Sequence, residues 1–152
     1  MKSRLWRSVV VLVAVVLMGA ACSSNNSETT TGASPAASGS ESGGGTITIG
    51  SDTANNHGSR DVSGVSSVKV EQDDFYFNPT IISGTAGQKI TIKLENEGST
   101  THNFTLEGQS IDQDVSSGQD ATVTVTFPQS GTLEFFCKFH RSQGMVGELS
   151  VS

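Results

Sequence analysis

The segment Gly131–Val151 reads GTLEFFCKFHRSQGMVGELSV, and it decides how the rest of the chain is interpreted. Leu133, Phe135 and Cys137 occupy alternate positions, which is the period of two that predicts a β-strand. A histidine and a methionine follow the cysteine with the spacing Cys-x2-His-x4-Met. A thiol, an imidazole and a thioether therefore lie within nine residues of one another at the end of one predicted strand.

The same alternation of apolar and polar residues recurs from residue 67 to the C-terminus. The apolar runs end at turn residues such as Ser83-Gly84 and Ser117-Gly118, and none has the period of an amphipathic helix. Several short, half-apolar strands predict an all-β domain over residues 67–152, folded as a two-layer antiparallel β-sandwich. The alternating apolar positions are Val68 and Val70; Ile90, Ile92 and Leu94; and Val123, Val125 and Phe127.

The first 21 residues have the layout of an export signal. A basic start precedes the apolar run Val9–Met18, and Gly19-Ala20-Ala21 separates that run from Cys22. The layout resembles a bacterial lipobox, so we predict a lipoprotein signal peptide over residues 1–21 and lipidation of Cys22. Ordinary signal cleavage is the alternative, because Gly19 stands where Leu, Val or Ile is usual.

A segment without structural signals follows the predicted signal peptide. Residues 22–45 are almost entirely small and polar, which predicts a disordered Ser/Gly-rich tether. Residues 46–66 form an N-terminal extension whose packing the sequence does not decide. His57 lies in that extension, and we interpret it as a solvated loop residue, with an accessory metal contact as the alternative.

The charge of the chain excludes one class of partner. The net charge is −6, and the acidic residues are spread along the sequence. Nucleic-acid binding needs clustered Lys and Arg for phosphate contacts, so no nucleic acid is expected. The acidity is interpreted as a soluble surface, with a docking face for a basic partner as the alternative.

The metal-ligating residue types favour copper. His102 lies 35 residues before Cys137, at the start of a predicted strand, and strand ends of a sandwich can meet at one pole. Met145 is the single methionine after the signal, and His140 is the imidazole between it and the cysteine. Two imidazoles, a thiolate and a weak thioether describe a blue copper site, whereas structural zinc recruits four strong ligands.

The segments THNFTL, GTLEFFCKFHRSQGM and MVGELSV resemble the cupredoxin family, particularly its plastocyanin-like and halocyanin-like members. The resemblance covers residues 67–152 and implies an eight-strand Greek-key sandwich with one type 1 copper ion at a pole. By matching position, it implies that His102, Cys137 and His140 are equatorial ligands and that Met145 is the axial one. It also implies that Asn103 ties the two ligand segments together near the thiolate.

Phe139 marks a departure from the plastocyanin pattern, which has proline two residues after the cysteine. A residue other than proline offers a backbone N–H that can reach the Cys137 sulfur. From the sequence we expect this bond to give a lower reduction potential than a proline-bearing homologue has. Leu133 is a second departure, because a tyrosine often stands there in the family.

The predicted function is one-electron transfer between Cu(II) and Cu(I) outside the cytoplasm. The chain would be tethered to the cell membrane through Cys22 and would exchange electrons with redox protein partners as a monomeric domain. Lys138 and Arg141 flank the exposed end of His140, either as local basic contacts for a partner or for solubility. The main alternative is a copper carrier or scavenger without redox turnover. A copper enzyme is not expected, because further copper centres would need more ligands than His57.

Overall fold

The computed structural model describes residues 44–152, which contain twelve β-strands and two short 3-10 turns. The predicted signal peptide over residues 1–21, the lipidation of Cys22 and nearly all of the predicted tether over residues 22–45 lie outside the described residues. Within residues 44–152, no helix is long and apolar enough to cross a membrane. The strands are β1 Thr46–Ile49, β2 Asp52–Asn55, β3 Ser59–Asp61, β4 Ser67–Asp73, β5 Tyr76–Asn78, β6 Ile81–Gly84, β7 Lys89–Asn96, β8 His102–Leu106, β9 Ile111–Val115, β10 Asp120–Thr126, β11 Thr132–Phe136 and β12 Val146–Val151.

The predicted alternation of buried and exposed residues is confirmed most clearly in β7. Ile90, Ile92 and Leu94 are each at most 1% exposed, whereas Lys93 between them is exposed. Burying an aliphatic side chain of this size stabilises the fold by about 1.5–3 kcal/mol. The strand therefore presents one face to the core and the other to solvent.

The strands form two main sheets and one hairpin. The first sheet has four strands in the order β10-β7-β4-β5, and the second has six in the order β3-β6-β12-β11-β8-β9. One continuous hydrophobic core receives buried side chains from both sheets, for example Ile92 from the first and Phe104 from the second. The predicted all-β sandwich is therefore confirmed.

The sheets are mixed rather than wholly antiparallel. Three strand pairs run parallel: β4 with β7, β6 with β12, and β3 with β6. After β5 the chain crosses to the second sheet as β6 and then returns to the first sheet as β7, which lies beside β4 in the same direction. The described residues also contain more strands than the eight that the family resemblance implied. Residues 46–66 contribute β1, β2 and β3, and residues 67–152 contribute nine strands.

Three phenylalanine rings form the centre of the core, and the predicted site lies at the edge of the same cluster. The ring centroids of Phe104 and Phe135 are 4.8 Å apart, and Phe77 meets Phe135 edge-on at 5.1 Å. Such aromatic pairs add about 0.5–1.5 kcal/mol each beyond their buried area. Cys137 and Met145 belong to the same cluster and are fully buried.

The hairpin β1–β2 covers the outer face of the second sheet. Ile49 and Ala54 of the hairpin form a separate buried cluster with Phe136 and Val146. Phe136 points away from the main core, as its place in the period of two predicts. The extension over residues 46–66 thus packs on the sandwich, because the apolar face of β11 and β12 needs a cover.

Asn55, at the end of the hairpin, is tied to the loop that joins β11 to β12. Its backbone N–H donates to the Gly144 carbonyl at 2.9 Å, and its side-chain amide donates to the Gln143 carbonyl at 2.8 Å. The same amide group donates to the Phe75 carbonyl at 3.0 Å. The hairpin therefore holds the segment between the predicted ligands His140 and Met145 against the domain.

We expect Gln72→Met to raise the free energy of unfolding by about 1 kcal/mol. The Gln72 side chain is fully buried, and neither its amide nitrogen nor its amide oxygen has a hydrogen-bond partner within residues 44–152. Replacing an unpaired buried polar group with an apolar one of similar volume removes its desolvation cost. Urea unfolding followed by circular dichroism measures the change.

Asn96→Leu provides the matched control, because Asn96 is also buried but donates to the carbonyls of Thr100 and Val115. This variant should lower the free energy of unfolding. A destabilised Gln72→Met would contradict the prediction.

We expect Asn55→Ala to lower the free energy of unfolding by about 1–2 kcal/mol, because it removes two side-chain hydrogen bonds. The amides of residues 143–146 should also exchange hydrogen faster, while those of β7 and β10 should not change. Hydrogen exchange read by mass spectrometry tests this. The control is Gln113→Ala, because the Gln113 side chain makes only an exposed hydrogen bond to the neighbouring Asp114 carbonyl. Equal exchange rates at residues 143–146 in the two variants would contradict the prediction that the hairpin restrains this loop.

Candidate metal centre

Three of the four predicted ligands converge at one pole of the sandwich. The ligand atoms of His102, Cys137 and His140 all lie within 4.8 Å of one another. The two histidine Nδ1 atoms are 3.2 Å apart, and the Cys137 Sγ lies 3.5 Å from the His140 Nδ1. The predicted meeting of residue 102 with residues 137 and 140 is therefore found in the structure.

The positions of these side chains follow from where their strands end. His102 is the first residue of β8, and Cys137 follows directly after β11, the neighbouring strand in the same sheet. The β8–β11 pairing places Thr105 opposite Phe136. Two residues 35 positions apart in sequence thus reach the same edge of one sheet.

A short, tightly bonded loop carries His140 and returns the chain to β12. The Cys137 N–H donates to the Met145 carbonyl at 3.0 Å, and the Met145 N–H donates to the His140 carbonyl at 3.2 Å. The loop contains the 3-10 turn Arg141–Gln143, which is followed by Gly144, whose φ of +92° favours glycine. A Cβ at Gly144 would also lie 2.7 Å from the Asn55 side-chain nitrogen.

The distances and residue types fit one small ion. Ligand atoms about 2.0–2.3 Å from a common ion in a trigonal plane are themselves roughly 3.5–4 Å apart. The 3.2 Å and 3.5 Å separations are close to that arrangement. Two imidazoles and a thiol, with the fully buried Met145 thioether beside them, are the donor set of a blue copper site.

Burial controls the protonation of the ligands. Desolvation lowers the pKa of His102, which is fully buried, and the nearby His140 lowers it further. Burial raises the pKa of the Cys137 thiol, whereas the backbone N–H groups of Phe139, Asn103 and His140 lower it. A neutral imidazole is ready to bind a metal, and metal binding must displace the thiol proton.

Asn103 and Phe139 are the two neighbours of the predicted ligands that the sequence analysis singled out. The Asn103 Oδ1 accepts the Lys138 N–H at 3.3 Å, which links the His102 strand to the residue after Cys137. The Asn103 amide group donates to Asp112 and Asp114 at 2.7 Å each. The Phe139 backbone N–H, which a proline would lack, lowers the pKa of the Cys137 thiol.

Two neighbours of the site were missed by the sequence analysis. The Asp74 carboxylate lies 3.0 Å from the His102 Nε2, and the Phe75 ring centroid lies 4.5 Å from that of His140. Both residues are in the connection between β4 and β5. In the sequence they belong to the run DDFYF, and no spacing relates that run to the ligands.

His57 lies apart from the metal centre. Its ring stacks on Tyr76 with centroids 3.4 Å apart, and its backbone N–H donates to the Thr80 hydroxyl. Among the described residues, the His102–Cys137–His140 group is the single cluster of three or more such side chains. The accessory metal contact considered for His57 thus finds no partner in residues 44–152.

The basic residues beside His140 are neutralised. Lys138 contacts Asp112 at 2.7 Å and Asp114 at 2.8 Å. The Arg141 guanidinium contacts Asp52 at 2.8 Å and also Glu134. The local basic contrast considered from the sequence is therefore largely cancelled by acidic neighbours.

Comparisons with known proteins agree with this geometry. The family model of the cupredoxin-like domain matches residues 46–151. Plastocyanin A/B of Petroselinum crispum is 31% identical over 97 residues, which cover 56% of this chain and 98% of that protein. Plastocyanin B'/B'' of Nicotiana tabacum is 32% identical over 88 residues, which cover 50% of this chain and 87% of that protein.

Among solved structures, one match is auracyanin A, described as a blue copper protein from Chloroflexus aurantiacus. It is 20% identical and matches 61% of this chain and 100% of its own, with a TM-score of 0.48. The family match spans most of the chain, and its residues include the whole cluster of imidazoles and thiol. The chain therefore belongs to the cupredoxin family and is a type 1 blue copper protein with one copper ion as its cofactor.

Proposed function

We propose that this protein carries single electrons between redox proteins outside the cytoplasm, tethered to the membrane through a lipid on Cys22. The observation that supports this most directly is the convergence of two imidazole nitrogens and one buried thiol within 4.8 Å. His102, Cys137 and His140 would be the equatorial ligands, and Met145 the axial one. Copper in such a site changes between two oxidation states by one electron.

The surroundings of the ligands favour electron transfer over chemistry on a bound substrate. His102, Cys137 and Met145 are each fully buried, so these groups offer solvent no access to the ion. The hairpin holds the ligand loop through the hydrogen bonds of Asn55. A donor set that is fixed before and after electron transfer needs little rearrangement when the charge changes.

Electrons would leave and enter through His140. It is the one partly exposed residue of the cluster, whereas His102 and Cys137 are fully buried. Phe139 beside it is 50% exposed, and its ring centroid lies 6.3 Å from that of His140. An apolar side chain of that exposure can dock against a partner protein. Lys138 is paired with acidic side chains, so its charge would cause little repulsion of a basic partner.

The proposed location depends on residues 1–22. Their basic start, apolar run and small residues before Cys22 have the layout of a lipoprotein signal. A lipid tether would confine the domain to the layer in which membrane-bound partners lie. The alternative, ordinary export, would give the same redox chemistry without the anchor.

We expect the chain from residue 23 onward to show an intense thiolate-to-copper absorption when Cu(II) is added. Its electron-spin spectrum should show the narrow hyperfine splitting of a type 1 site. Cys137→Ser should lose this absorption, because it removes the thiolate. His57→Ala is the matched control and should keep it, since His57 lies outside the cluster. An unmodified chain that binds Cu(II) without the band would overturn the assignment.

Copper retention by the same protein distinguishes an electron carrier from a copper carrier. A chain that keeps its ion through repeated oxidation and reduction in the presence of a copper chelator behaves as an electron carrier. Rapid loss of copper to the chelator in either oxidation state would instead support the carrier or scavenger function.

Phe139→Pro should lower the reduction potential. The Phe139 backbone N–H favours negative charge on the Cys137 sulfur, and the sulfur carries more negative charge when the copper is Cu(I), so this N–H favours the reduced state. The direction is opposite to the sequence-based expectation of a lower potential in this chain than in a proline-bearing homologue. Phe139→Leu keeps the N–H but removes the ring, and it serves as the control in cyclic voltammetry. Equal potentials for the two variants would exclude a role for the N–H.

A further inference from the structure

The buried ligand His102 has a carboxylate on the side away from the other ligands. Its Nδ1 faces the His140 Nδ1 at 3.2 Å, inside the ligand cluster. Its Nε2 faces the Asp74 Oδ1 at 3.0 Å. A ring that donates its Nε2 proton to a carboxylate keeps Nδ1 free of a proton, so Nδ1 is the atom available to a metal.

From this contact we infer that Asp74 is a positioning residue for His102, which sets the tautomer of its ring and lowers the reduction potential of the copper site. The inference about the potential rests on the proposed copper site, whereas the inference about the tautomer does not. No step of electron transfer passes through Asp74. Its effect reaches the ion through His102 alone.

The carboxylate is itself held in place. The Asp74 Oδ2 accepts the Ser99 hydroxyl at 2.5 Å and the Ser99 backbone N–H at 3.2 Å. The Thr100 hydroxyl lies 3.4 Å from the Oδ1. Ser99 and Thr100 belong to the connection between β7 and β8, which leads directly into His102. The loop that delivers the ligand thus also fixes the group that orients it.

Gly98 allows this close approach. A Cβ at that position would lie 2.5 Å from the His102 Nε2 and 2.7 Å from the Asp74 Oδ1. Real Cβ atoms do not approach other heavy atoms so closely, and the backbone of Gly98 is itself bonded to the Gln72 carbonyl. The glycine therefore leaves room for the imidazole–carboxylate pair, which any larger residue would displace.

Asp74 supplies a carboxylate, and an aspartate side chain is ordinarily ionised at neutral pH. A fixed negative charge hydrogen-bonded to a ligand imidazole increases the electron density on that ring. It therefore favours Cu(II) over Cu(I), although the 29% exposure of the Asp74 side chain allows water to screen part of the effect.

Asp73 supplies a matched comparison, because it is the adjacent carboxylate with a different partner. Its Oδ2 accepts the Tyr76 hydroxyl at 3.0 Å, and its Oδ1 accepts the Asp74 backbone N–H at 2.8 Å. Asp73→Asn thus removes the same charge from nearly the same place without touching His102. A difference in reduction potential between Asp73→Asn and Asp74→Asn therefore reports the direct contact of Asp74 with His102, because both variants remove one negative charge from the acidic surface.

The first measurement uses the mature chain without metal. Long-range proton–nitrogen correlation spectra of the histidine rings should show His102 with its proton on Nε2 in the unmodified chain and in Asp73→Asn. Asp74→Ala should lose this preference, while Asp74→Asn, whose amide oxygen can still accept the bond, should retain it at least in part. An unchanged tautomer in Asp74→Ala would overturn the positioning role.

The second measurement uses the copper-loaded chain. Asp74→Asn should shift the reduction potential upward by more than Asp73→Asn does, with the blue absorption retained in both variants. Equal shifts would overturn the direct electrostatic role of Asp74. If the unmodified chain lacked the blue absorption, the proposed function would fail, but the metal-free spectra would still decide whether Asp74 controls the His102 ring.

Discussion

The metal centre depends on the close packing of three polar groups that water would otherwise hydrate. Two imidazoles and a thiol lie within 4.8 Å of one another, and two of the three residues are fully buried. Burial costs free energy for any polar group that lacks a partner. The surrounding structure offsets this cost with Asp74 at the outer nitrogen of His102 and with Asn103 between the two ligand segments.

The hydrophobic core and the metal centre are continuous. Phe104 and Phe135 stack at 4.8 Å, and each stands two residues from a predicted ligand, His102 and Cys137 respectively. Movement of β8 or β11 in the core would therefore displace His102 or Cys137 by a similar distance. Tight packing of the sandwich below the site is what fixes the geometry above it.

The loop that carries His140 is stabilised from outside the sandwich core. The hairpin β1–β2 covers Phe136 and bonds the loop through Asn55, while Asp52 and Glu134 pair with Arg141. Residues that appear peripheral in the sequence thus restrain one of the ligands. The same pairing neutralises the basic side chains near His140, which leaves Phe139 as the main exposed feature beside the ligand.

The sequence by itself determined the strand class and the chemistry of the site. Alternation in β4, β7, β10 and β11 depends on residues that are adjacent in the chain, and the spacing Cys-x2-His-x4-Met confines three of the predicted ligands to one loop. The tertiary structure alone decided the parallel strand pairs, the cover formed by residues 46–66, and the contact of Asp74 with His102. Those features join residues as far as 89 positions apart, as Asp52 and Arg141 are. Periodicity along a strand specifies which face is buried, but it carries no information on which strand lies beside it or which loop closes over its end.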